Sequence, residues 1–263
     1  MQHITSRQNA VVKQYREAAR GDATGTMLLD GPHLIGEALD AGIRLHHLMV
    51  GADMLEHTEV ARLLEHTGAE HTAVASASSS VMDAVSPVQT TSGIVALAAR
   101  PALDVSPYAA TDALVTIVCD MQNPGNVGAI IRVAEAAGST AVIVAGQSAD
   151  PFGWKALRGS MGSALRMPIS IAADARDAVE AAHAHGASVV ATVPRDGVTP
   201  DAANFRGRVA VLIGGEGLGL TPDLLRDADQ RVSIPMQAPV ESLNAAVAAA
   251  VLLYEARRQR TTR

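Results

Sequence analysis

Hydrophobic positions in the first hundred residues alternate between short apolar runs and segments with a helical period. The predicted strands are TMLLDG (26–31), LHHLMVG (45–51) and TSGIVALAA (91–99), and the predicted helices are PHLIGEALDAG (32–42) and HTEVARLLEHTG (57–68). Gly42 and Gly68 would end the two helices, because glycine readily takes the left-handed conformation found just after a helix. We therefore expect a small α/β domain over residues 1–100.

The stretch RPALDVSPYAATDA (100–113) interrupts this alternation. Its prolines and small polar residues are typical of a connection between domains. The sequence therefore predicts a linker over residues 101–112.

The second half of the chain returns to the alternation with more strongly apolar strands. These are LVTIVCD (114–120), AVIVAG (141–146), SVVATV (188–193), RVAVLIGG (208–215) and RVSIPM (231–236). Continuous valine and isoleucine runs separated by helices are typical of a parallel sheet that is buried on both faces. We expect a second α/β domain over residues 113–263.

Composition supports a globular protein of 263 residues, with 48% hydrophobic residues and one cysteine. The longest apolar run, AAVAAAVLLY (245–254), is too short to cross a bilayer. The start, MQHITSRQN, has no apolar segment of the kind found in signal peptides, and a single cysteine excludes an internal disulfide. We expect a cytoplasmic protein without a membrane span.

The formal net charge of −6 argues against a nucleic-acid partner, since phosphate binding usually requires a basic surface. The distribution of charge weakens that argument, because cations gather near both ends of the chain. They are Arg7, Lys13, Arg16 and Arg20 at one end and Arg257, Arg258, Arg260 and Arg263 at the other. Arginine suits bidentate phosphate recognition, although a preference for arginine over lysine can equally reflect genome composition.

Ligands of parallel sheets bind where the carboxyl ends of strands meet the following loops. The first such loop opens NPGNVGAIIRVAEAAG (123–138), where Asn126 is a candidate N-cap. The apolar stripe of the following helix consists of Val127, Ile130, Ile131 and Ala134. Arg132 lies off this stripe, and it could either face a ligand or form a surface ion pair with Glu135.

The second loop lies in VLIGGEGLGLTPDLL (211–225), where a buried strand leads into four glycines and Glu216. Thr221 followed by Pro222 predicts a helix N-cap with proline at the first helical position. The glycines would allow the backbone to approach a ligand closely, although such a stretch can also be only a turn. The spacing matches neither a dinucleotide fingerprint nor a Walker loop.

The third loop lies in VSIPMQAPVESLNAAVAAAVLLYEARRQR (232–260), where the predicted strand stops at Pro235. Ser242 is the expected N-cap of a long alanine-rich helix. Asn244 is unusual, because asparagine is a poor helix former and here directly precedes an alanine run.

Taken together and in this order, the three loops resemble the three motifs of the SpoU (TrmH) family of RNA ribose 2′-O-methyltransferases in the SPOUT superfamily. The matching residues are Asn123, Pro124, Asn126 and Arg132, then Gly214, Glu216 and Gly217, then Ile234 to Met236 with Glu241 to Asn244. The stretch KALRGSMGSALRMPIS (155–170) is similar to the segment between the first two motifs. Residues 3–100 resemble the substrate-binding domain of many members, which is like a small ribosomal-protein RNA-binding fold.

The resemblance implies a SPOUT-type parallel sheet whose chain forms a deep trefoil knot, with S-adenosyl-L-methionine bound in the knot. It also implies a homodimer whose active site forms at the subunit interface. The catalytic residues implied are Asn126, Arg132, Glu216, Ser242 and Asn244. The cofactor-binding residues implied are Thr192, Gly214, Gly215, Glu216, Ile234, Met236, Leu243 and Asn244.

In the implied reaction a ribose hydroxyl loses its proton while it attacks a methyl group. Arginine resists deprotonation, so our hypothesis is that a charged Arg132 stabilises the developing alkoxide while a substrate phosphate or water takes the proton. Asn126 would orient the ribose or the arginine, and Glu216 would hold the geometry by hydrogen bonding.

RNA is the expected partner, and the extra N-terminal domain favours ribosomal RNA over transfer RNA. Candidates for phosphate contacts are Arg7, Lys13 and Arg16, together with Arg158 and Arg166 beside the active site. A non-catalytic RNA-binding protein of the same fold remains an alternative, whereas a dehydrogenase would require a glycine fingerprint that is absent. We expect no metal site, because His46, His47, His183 and His185 lack further ligands at suitable spacing.

Overall fold

The computed structural model of the protein describes residues 1–69, 72–103, 106–217 and 219–261. Arg263 and part of the predicted linker, residues 104–105, lie outside the described residues. The chain divides into two compact units. The first comprises residues 1–101 and 152–166, and the second comprises residues 102–151 and 167–263. The segment 152–166, which we expected in the second domain, therefore lies in the first unit.

The first unit contains a five-stranded sheet with helices packed against it. Its strands are β1 (Gln2–Ile4), β2 (Thr26–Asp30), β3 (Leu45–Gly51), β4 (Ala73–Ala77) and β5 (Ile94–Ala99), in the order β1-β4-β3-β5-β2. Its helices are α1 (Ala10–Arg20), α2 (Pro32–Asp40), α3 (Thr58–Ala69), α4 (Ser79–Val85), α6 (Trp154–Ser160) and α7 (Ser163–Arg166), with a short 3₁₀ helix at Ala52–Met54. The pairs β1·β4 and β3·β4 are parallel, and β3·β5 and β2·β5 are antiparallel.

Helix α6 packs against β2, which is an edge strand of this sheet. Edge strands present unpaired backbone groups, so a helix that covers one protects the sheet from pairing with another chain. Trp154, the first residue of α6, packs against the same core cluster as Val12 and Tyr15 of α1. Residues 152–166 are thus an integral part of the first unit.

The predicted elements of the first unit are confirmed, with one difference at the end of α3. Gly42, which follows the C-cap residue Ala41 of α2, has a φ of 69°, as expected for the C′ position. Helix α3 runs to Ala69, so the prediction that Gly68 ends it is wrong. The backbone amide of Thr72 bonds to the Thr67 carbonyl at 3.4 Å, and a bond across five residues of this kind marks a helix that ends later than Gly68.

The second unit contains a parallel sheet, as predicted, but with six strands where the sequence predicted five, because the strand Ile169–Ala172 was missed. Its strands are β6 (Leu114–Cys119), β7 (Ala141–Ala145), β8 (Ile169–Ala172), β9 (Ser188–Thr192), β10 (Val209–Gly214) and β11 (Gln230–Val232), in the order β11-β9-β10-β6-β7-β8. Its helices are α5 (Pro124–Ala137), α8 (Ala175–Ala184), α9 (Pro222–Asp227) and α10 (Ala245–Thr261). Every residue of β6 and β7 is buried, because helices cover both faces of the sheet.

Strand β11 is shorter than predicted. It ends at Val232, and the amide of Ser233 bonds instead to the carbonyl of Val198 at 3.0 Å. Pro235 lies beyond the strand, so the prediction that the strand continues to it is wrong. The chain from 233 to 244 is thereby free to form a loop.

The far end of α10 is tied to the loop before β10. The side chain of Gln259 accepts from the amide of Phe205 at 3.0 Å and donates to the carbonyl of Ala203 at 2.9 Å, and Arg260 donates to the carbonyls of Phe205 and Gly207 at 2.8 Å. These bonds fix the C-terminal helix against the sheet. The trefoil knot stays a prediction. None of the helices in the described residues is both long and apolar enough to cross a bilayer.

Candidate active site

The first predicted loop is capped one turn earlier than expected. Asn123 is the N-cap of α5, and its side chain accepts from the amides of Gly125 and Asn126 at 2.9 and 3.4 Å. Pro124 occupies the first helical position, where its missing N–H costs nothing. The prediction that Asn126 caps the helix is therefore wrong. Asn126 lies inside the first turn, only 9% exposed, which leaves its side-chain amide available for other contacts.

The second loop folds back on itself directly after β10. Gly215 and Gly219 form an isolated antiparallel bridge, and Gly217 and Gly219 have φ values of 97° and 65°. Thr221 caps α9 by accepting from the amide of Leu224 at 3.4 Å, as predicted. Glu216 lies at the exposed tip of this turn.

The glycines at the start of this loop are required by contacts within the chain. A Cβ on Gly214 would lie 2.7 Å from the backbone of Gly219, and one on Gly215 would lie 2.2 Å from the carbonyl oxygen of Asp120. We expected these glycines to admit a ligand, but the close approach in the structure is between backbone segments. Substitution of Gly215 would consequently disturb packing against Asp120 whether or not a ligand binds.

The third loop ends at Asn244, which caps α10. Its Oδ1 accepts from the amides of Ala246 and Val247 at 2.9 and 3.3 Å, and its carbonyl accepts the first helical bond, from Ala248, at 2.9 Å. The prediction that Ser242 caps this helix is therefore wrong, because the helix begins two residues later. Asparagine before an alanine run is thus explained by capping.

Side chains from all three loops meet at Asn126. Its Nδ2 donates to Oε1 of Glu216, and its Oδ1 accepts from Nδ2 of Asn244 at 3.1 Å. These three residues come from α5, the turn after β10 and the start of α10. We call them the amide cluster.

Capping fixes the direction of each hydrogen bond in the amide cluster. Because Oδ1 of Asn244 is occupied by the helix amides, Nδ2 of Asn244 must point to Asn126. That donor requires Oδ1 of Asn126 as its acceptor, so Nδ2 of Asn126 faces the Glu216 carboxylate. A single arrangement satisfies every partner, which holds the carboxylate in one place.

A cavity of about 610 Å³ lies next to the amide cluster. All eight residues predicted to bind the cofactor line it: Thr192, Gly214, Gly215, Glu216, Ile234, Met236, Leu243 and Asn244. Ser242 also lines it, as do Ala245, Ala248 and Leu252 on one face of α10. Most of the wall is aliphatic, and none of the described lining residues is aromatic.

Arg132 is exposed on α5 and does not join the amide cluster of its own chain. It lies six positions beyond Asn126 on the helix, which places the two Cα atoms about 9 Å apart along the axis and about 120° apart around it. Val127, Ile130, Ile131 and Ala134 are fully buried, so the predicted stripe is confirmed. Among the described residues no ion pair joins Arg132 to Glu135.

All five predicted phosphate-binding residues lie in the first unit. Four of them already have a partner in the protein: Arg7 donates to the carbonyl of Ser80 at 2.8 Å, Arg16 donates to that of Ala84 at 3.3 Å, Arg166 pairs with Glu37, and Lys13 pairs with Glu17. Lys13 forms an exposed pair with Glu17 at 3.6 Å, and Arg158 is exposed on α6. Lys13 and Arg158 are therefore the more available cations.

The described C-terminal arginines, Arg257, Arg258 and Arg260, are engaged in contacts within the chain. Arg257 donates to the carbonyl of Ala136 at 3.0 Å, and Arg258 pairs with Glu255 at 2.7 Å. Among the described residues no group of three or more histidine, cysteine or carboxylate side chains is arranged to hold a metal. Burial raises the pKa of the Cys119 thiol to about 12, with a smaller contribution from Asp120, so this cysteine is a poor nucleophile.

Sequence reasoning missed the capping role of Asn123 and the contribution of Ala245 and Ala248 to the cavity wall. Asn123 as the cap was signalled by asparagine directly before proline, a combination that favours the start of a helix. Ala245 and Ala248 carried a weaker signal, since small side chains on a buried helix face leave room for a cavity.

Two family models match this chain. Residues 113–254 match that of the SpoU rRNA Methylase family. The chain belongs to this family. Residues 11–96 match the MRM3-like substrate binding domain, so the SpoU part is preceded by the kind of domain that the sequence predicted.

Similar proteins agree with this assignment over nearly the whole chain. An uncharacterized tRNA/rRNA methyltransferase of Synechocystis is 34% identical over 97% of this chain and 93% of its own length. The 23S rRNA (guanosine(2553)-2′-O)-methyltransferase RlmP of Bacillus subtilis is 31% identical over 98% of this chain and 100% of its own length. The SpoU methyltransferase AviRb of Streptomyces viridochromogenes, solved with the cofactor AdoMet, is 29% identical with a TM-score of 0.86, covering 97% of this chain and 99% of that one.

Proposed function

We propose that this protein methylates the ribose 2′-hydroxyl of a structured ribosomal RNA, using S-adenosylmethionine (AdoMet). The observation that carries the proposal is the amide cluster, because it brings residues of all three SpoU motifs together beside one cavity. RlmP, which matches over its full length and is named as a 23S rRNA 2′-O-methyltransferase, supports the substrate class. The structure of AviRb with AdoMet supports the cofactor.

The cavity residues fit this cofactor. A volume of about 610 Å³ lies within the range of ligand pockets, which is roughly 300–1,000 Å³. Ile234, Met236 and Leu243 offer an apolar wall for a purine, and the backbone of the glycine turn offers polar groups at its edge. Thr192, Ser242 and Asn244 would bind polar parts of the ligand. The carboxylate of Glu216 also lines the cavity and would attract a positively charged ligand.

AdoMet, when bound, supplies an electrophilic methyl group. The protein's part is to position the ribose and to stabilise the charge that develops when its 2′-hydroxyl loses a proton. Arg132 would do the latter, since its guanidinium stays protonated and donates hydrogen bonds to an anionic oxygen. Glu216 is held by Asn126, which supports a role in geometry and leaves the proton to a substrate phosphate or water.

The position of Arg132 supports a homodimer with composite active sites. Arg132 is exposed and does not join the amide cluster of its own chain, which supports a role in the site of a second subunit. Helix α10 also carries an exposed apolar stripe: Val247, Val251 and Tyr254 are 50%, 40% and 51% exposed. A stripe at this spacing on a helix suits a symmetric contact with the same surface of a second copy.

Arg158 and Lys13 of the first unit would contact RNA phosphates. Their exposure supports this role, as does the substrate-binding domain match. A cytoplasmic location follows from this substrate as a prediction.

The test is methyl transfer from labelled AdoMet to purified ribosomal RNA, with transfer RNA as a parallel substrate. A 2′-O-methyl group removes the hydroxyl that cleaves the adjacent phosphodiester, so the product should show one alkali-resistant bond. Transfer to tRNA alone would establish the alternative substrate. Binding of RNA without any transfer would establish a non-catalytic protein, and calorimetric binding of NAD in place of AdoMet would contradict the proposal altogether.

A further inference from the structure

Asp120 occupies an unusual backbone conformation between β6 and the first loop of the site. It directly follows Cys119, the last residue of β6, and its φ is 51°. Residues other than glycine are uncommon in this left-handed region, and aspartate tolerates it because its short side chain can bond to nearby backbone. The turn therefore depends on what the Asp120 side chain contacts.

The carboxylate of Asp120 holds the loop that follows β7. Its Oδ1 accepts from the amide of Gln147 at 2.8 Å, and its own amide donates to the carbonyl of Ala145 at 3.2 Å. A Cβ on Gly146 would lie 2.3 Å from Oδ1, so the carboxylate lies directly against the backbone of that loop.

The residue after Asp120 is tied to the same loop by two more hydrogen bonds. The amide of Met121 donates to Oγ of Ser148 at 2.9 Å, and the carbonyl of Met121 accepts from the amide of Ala149 at 2.8 Å. Ser148 in turn donates to the carbonyl of Ala145 at 2.7 Å. The two residues before Gln122 and Asn123 are thus fixed on the β7 loop.

Asp120 also contacts the glycine turn of the site from its other side. A Cβ on Gly215 would lie 2.2 Å from the Asp120 carbonyl oxygen, so the two backbones are in direct contact. Gly215 immediately precedes Glu216. Asn126 lies six residues beyond Asp120, after the capped start of α5.

Asp120 is therefore linked through the backbone to Asn126, which follows it in the chain, and by direct contact to Gly215, which precedes Glu216. We propose that Asp120 is a positioning residue for methyl transfer, which acts through Asn126 and Glu216 by holding their two loops in register. It has no contact with the reacting atoms in this scheme. The inference rests on the proposed function, since it assigns the amide cluster to the catalytic site.

Three variants separate the possible contributions of Asp120. Asp120→Asn retains the acceptor and tolerates the left-handed conformation, whereas Asp120→Gly retains only the conformation. The matched control is Asp174→Ala, because Oδ1 of Asp174 also accepts a backbone amide at 2.8 Å, from Arg176, at the start of α8. Each variant is assayed for turnover, KM for RNA, calorimetric AdoMet affinity and melting temperature.

We expect Asp120→Asn and Asp174→Ala to retain turnover within about threefold of the wild type. Asp120→Gly should lower turnover by about tenfold or more with KM and AdoMet affinity little changed, because displacement of catalytic groups by about 1 Å can cost up to a hundredfold. Equal turnover of Asp120→Gly and the wild type would overturn the proposal. Loss of turnover in Asp120→Asn would also overturn it, since a role in proton transfer would then be indicated.

A second measurement is independent of catalysis. Amide hydrogen exchange in Asp120→Gly should rise in both residues 121–126 and residues 215–217, whereas Asp174→Ala should leave both segments unchanged. If Asp120→Gly does not fold, Ser148→Ala, which removes the bond to Met121, should show the same pattern in residues 121–126. Wild-type protein that transfers no methyl group would refute the proposed function, and unchanged exchange would refute the positioning role.

Discussion

The side-chain amide of Asn244 donates to the side-chain oxygen Oδ1 of Asn126 across 3.1 Å, although the two are 118 positions apart in the chain. The same asparagine caps α10 through its other amide atom. One side chain thus both starts a helix and orients the amide cluster, and the two tasks use different atoms.

Those two tasks can be separated by substitution of Asn244. Asn244→Asp retains an oxygen for the cap but cannot donate to Asn126, whereas Asn244→Ala loses both. We expect Ala to cost about 1 kcal/mol of folding stability and Asp only a few tenths. Both should lower methyl transfer strongly. Thermal unfolding beside a turnover assay checks this, and normal turnover of the Asp variant would remove Asn244 from the site.

Arg132→Ala should abolish turnover and leave AdoMet affinity within a few-fold, because the interaction it removes forms only as charge develops on the ribose oxygen. Single-turnover kinetics and calorimetry provide the two measurements. A variant with near-normal turnover would show that Arg132 has no catalytic role.

Filling the cavity tests the cofactor site without altering Gly214 or Gly215, whose close contacts with Gly219 and Asp120 would confound their substitution. Ala248→Phe should weaken AdoMet binding by at least about tenfold, since a ring on the cavity face of α10 takes up ligand space. Ala184→Phe, at the exposed end of α8, is the control. Unchanged affinity of a folded Ala248→Phe protein would place the cofactor elsewhere.

A homodimer with composite active sites predicts that mixing the inactive variants Arg132→Ala and Ala248→Phe restores activity. A heterodimer of Arg132→Ala and Ala248→Phe chains has one site with both an intact cavity and an intact arginine. Random exchange of subunits should therefore restore about a quarter of wild-type activity in a two-fold symmetric dimer. Mixtures that stay inactive would show that each chain uses its own Arg132.

Neutralising the exposed cations of the first unit should weaken RNA binding. Lys13→Ala and Arg158→Ala are each expected to make the salt dependence shallower by about 0.7 to 0.9 in log–log slope, with AdoMet affinity unchanged. Arg226→Ala in the second unit, which removes an equal charge, should not change the slope. An unaltered slope in both test variants would exclude these residues as phosphate contacts.

Stability should depend on pH through a partly buried pair, Tyr15 and His47, in the first unit. Tyr15 bonds to Nδ1 of His47 at 2.9 Å, and burial lowers the pKa of His47 from its ordinary value of 6.5. As the pH falls, His47 is protonated in the unfolded chain at a higher pH than in the folded protein. The free energy of unfolding therefore has its full value above pH 6.5 and decreases as the pH drops below it. Urea unfolding between pH 5 and 7.5 checks the trend, and His47→Gln should flatten it.

The sequence predicted the parallel sheet and the three loops because valine and isoleucine runs and helix caps are local signals. It missed β4, whose residues Ala73–Ala77 are three alanines with one valine and one serine. Such residues have little intrinsic preference for strands, and this strand forms because β1 and β3 pair with it on both sides.

The details of the site depended on long-range contacts. Asn126 and Ser242 were expected as caps, and in both cases a neighbouring asparagine has this role. Residues that can cap a helix occur close together here, and only the tertiary position of each helix start decides between them. The need for glycine at position 215 likewise depends on Asp120, 95 positions earlier in the sequence.

The chain passes between its two units three times, at residues 101, 151 and 166, because α6 and α7 belong to the first. A chimera with one junction near residue 101 would take residues 1–101 from one relative and the rest from another. Its β2 would then pack against an α6 from a different protein. Chimeras that also carry residues 152–166 from the donor should fold better than those with one junction. Recombination in this family should thus favour paired breakpoints, and the sequences of α6 and β2 should change together although both belong to the first unit.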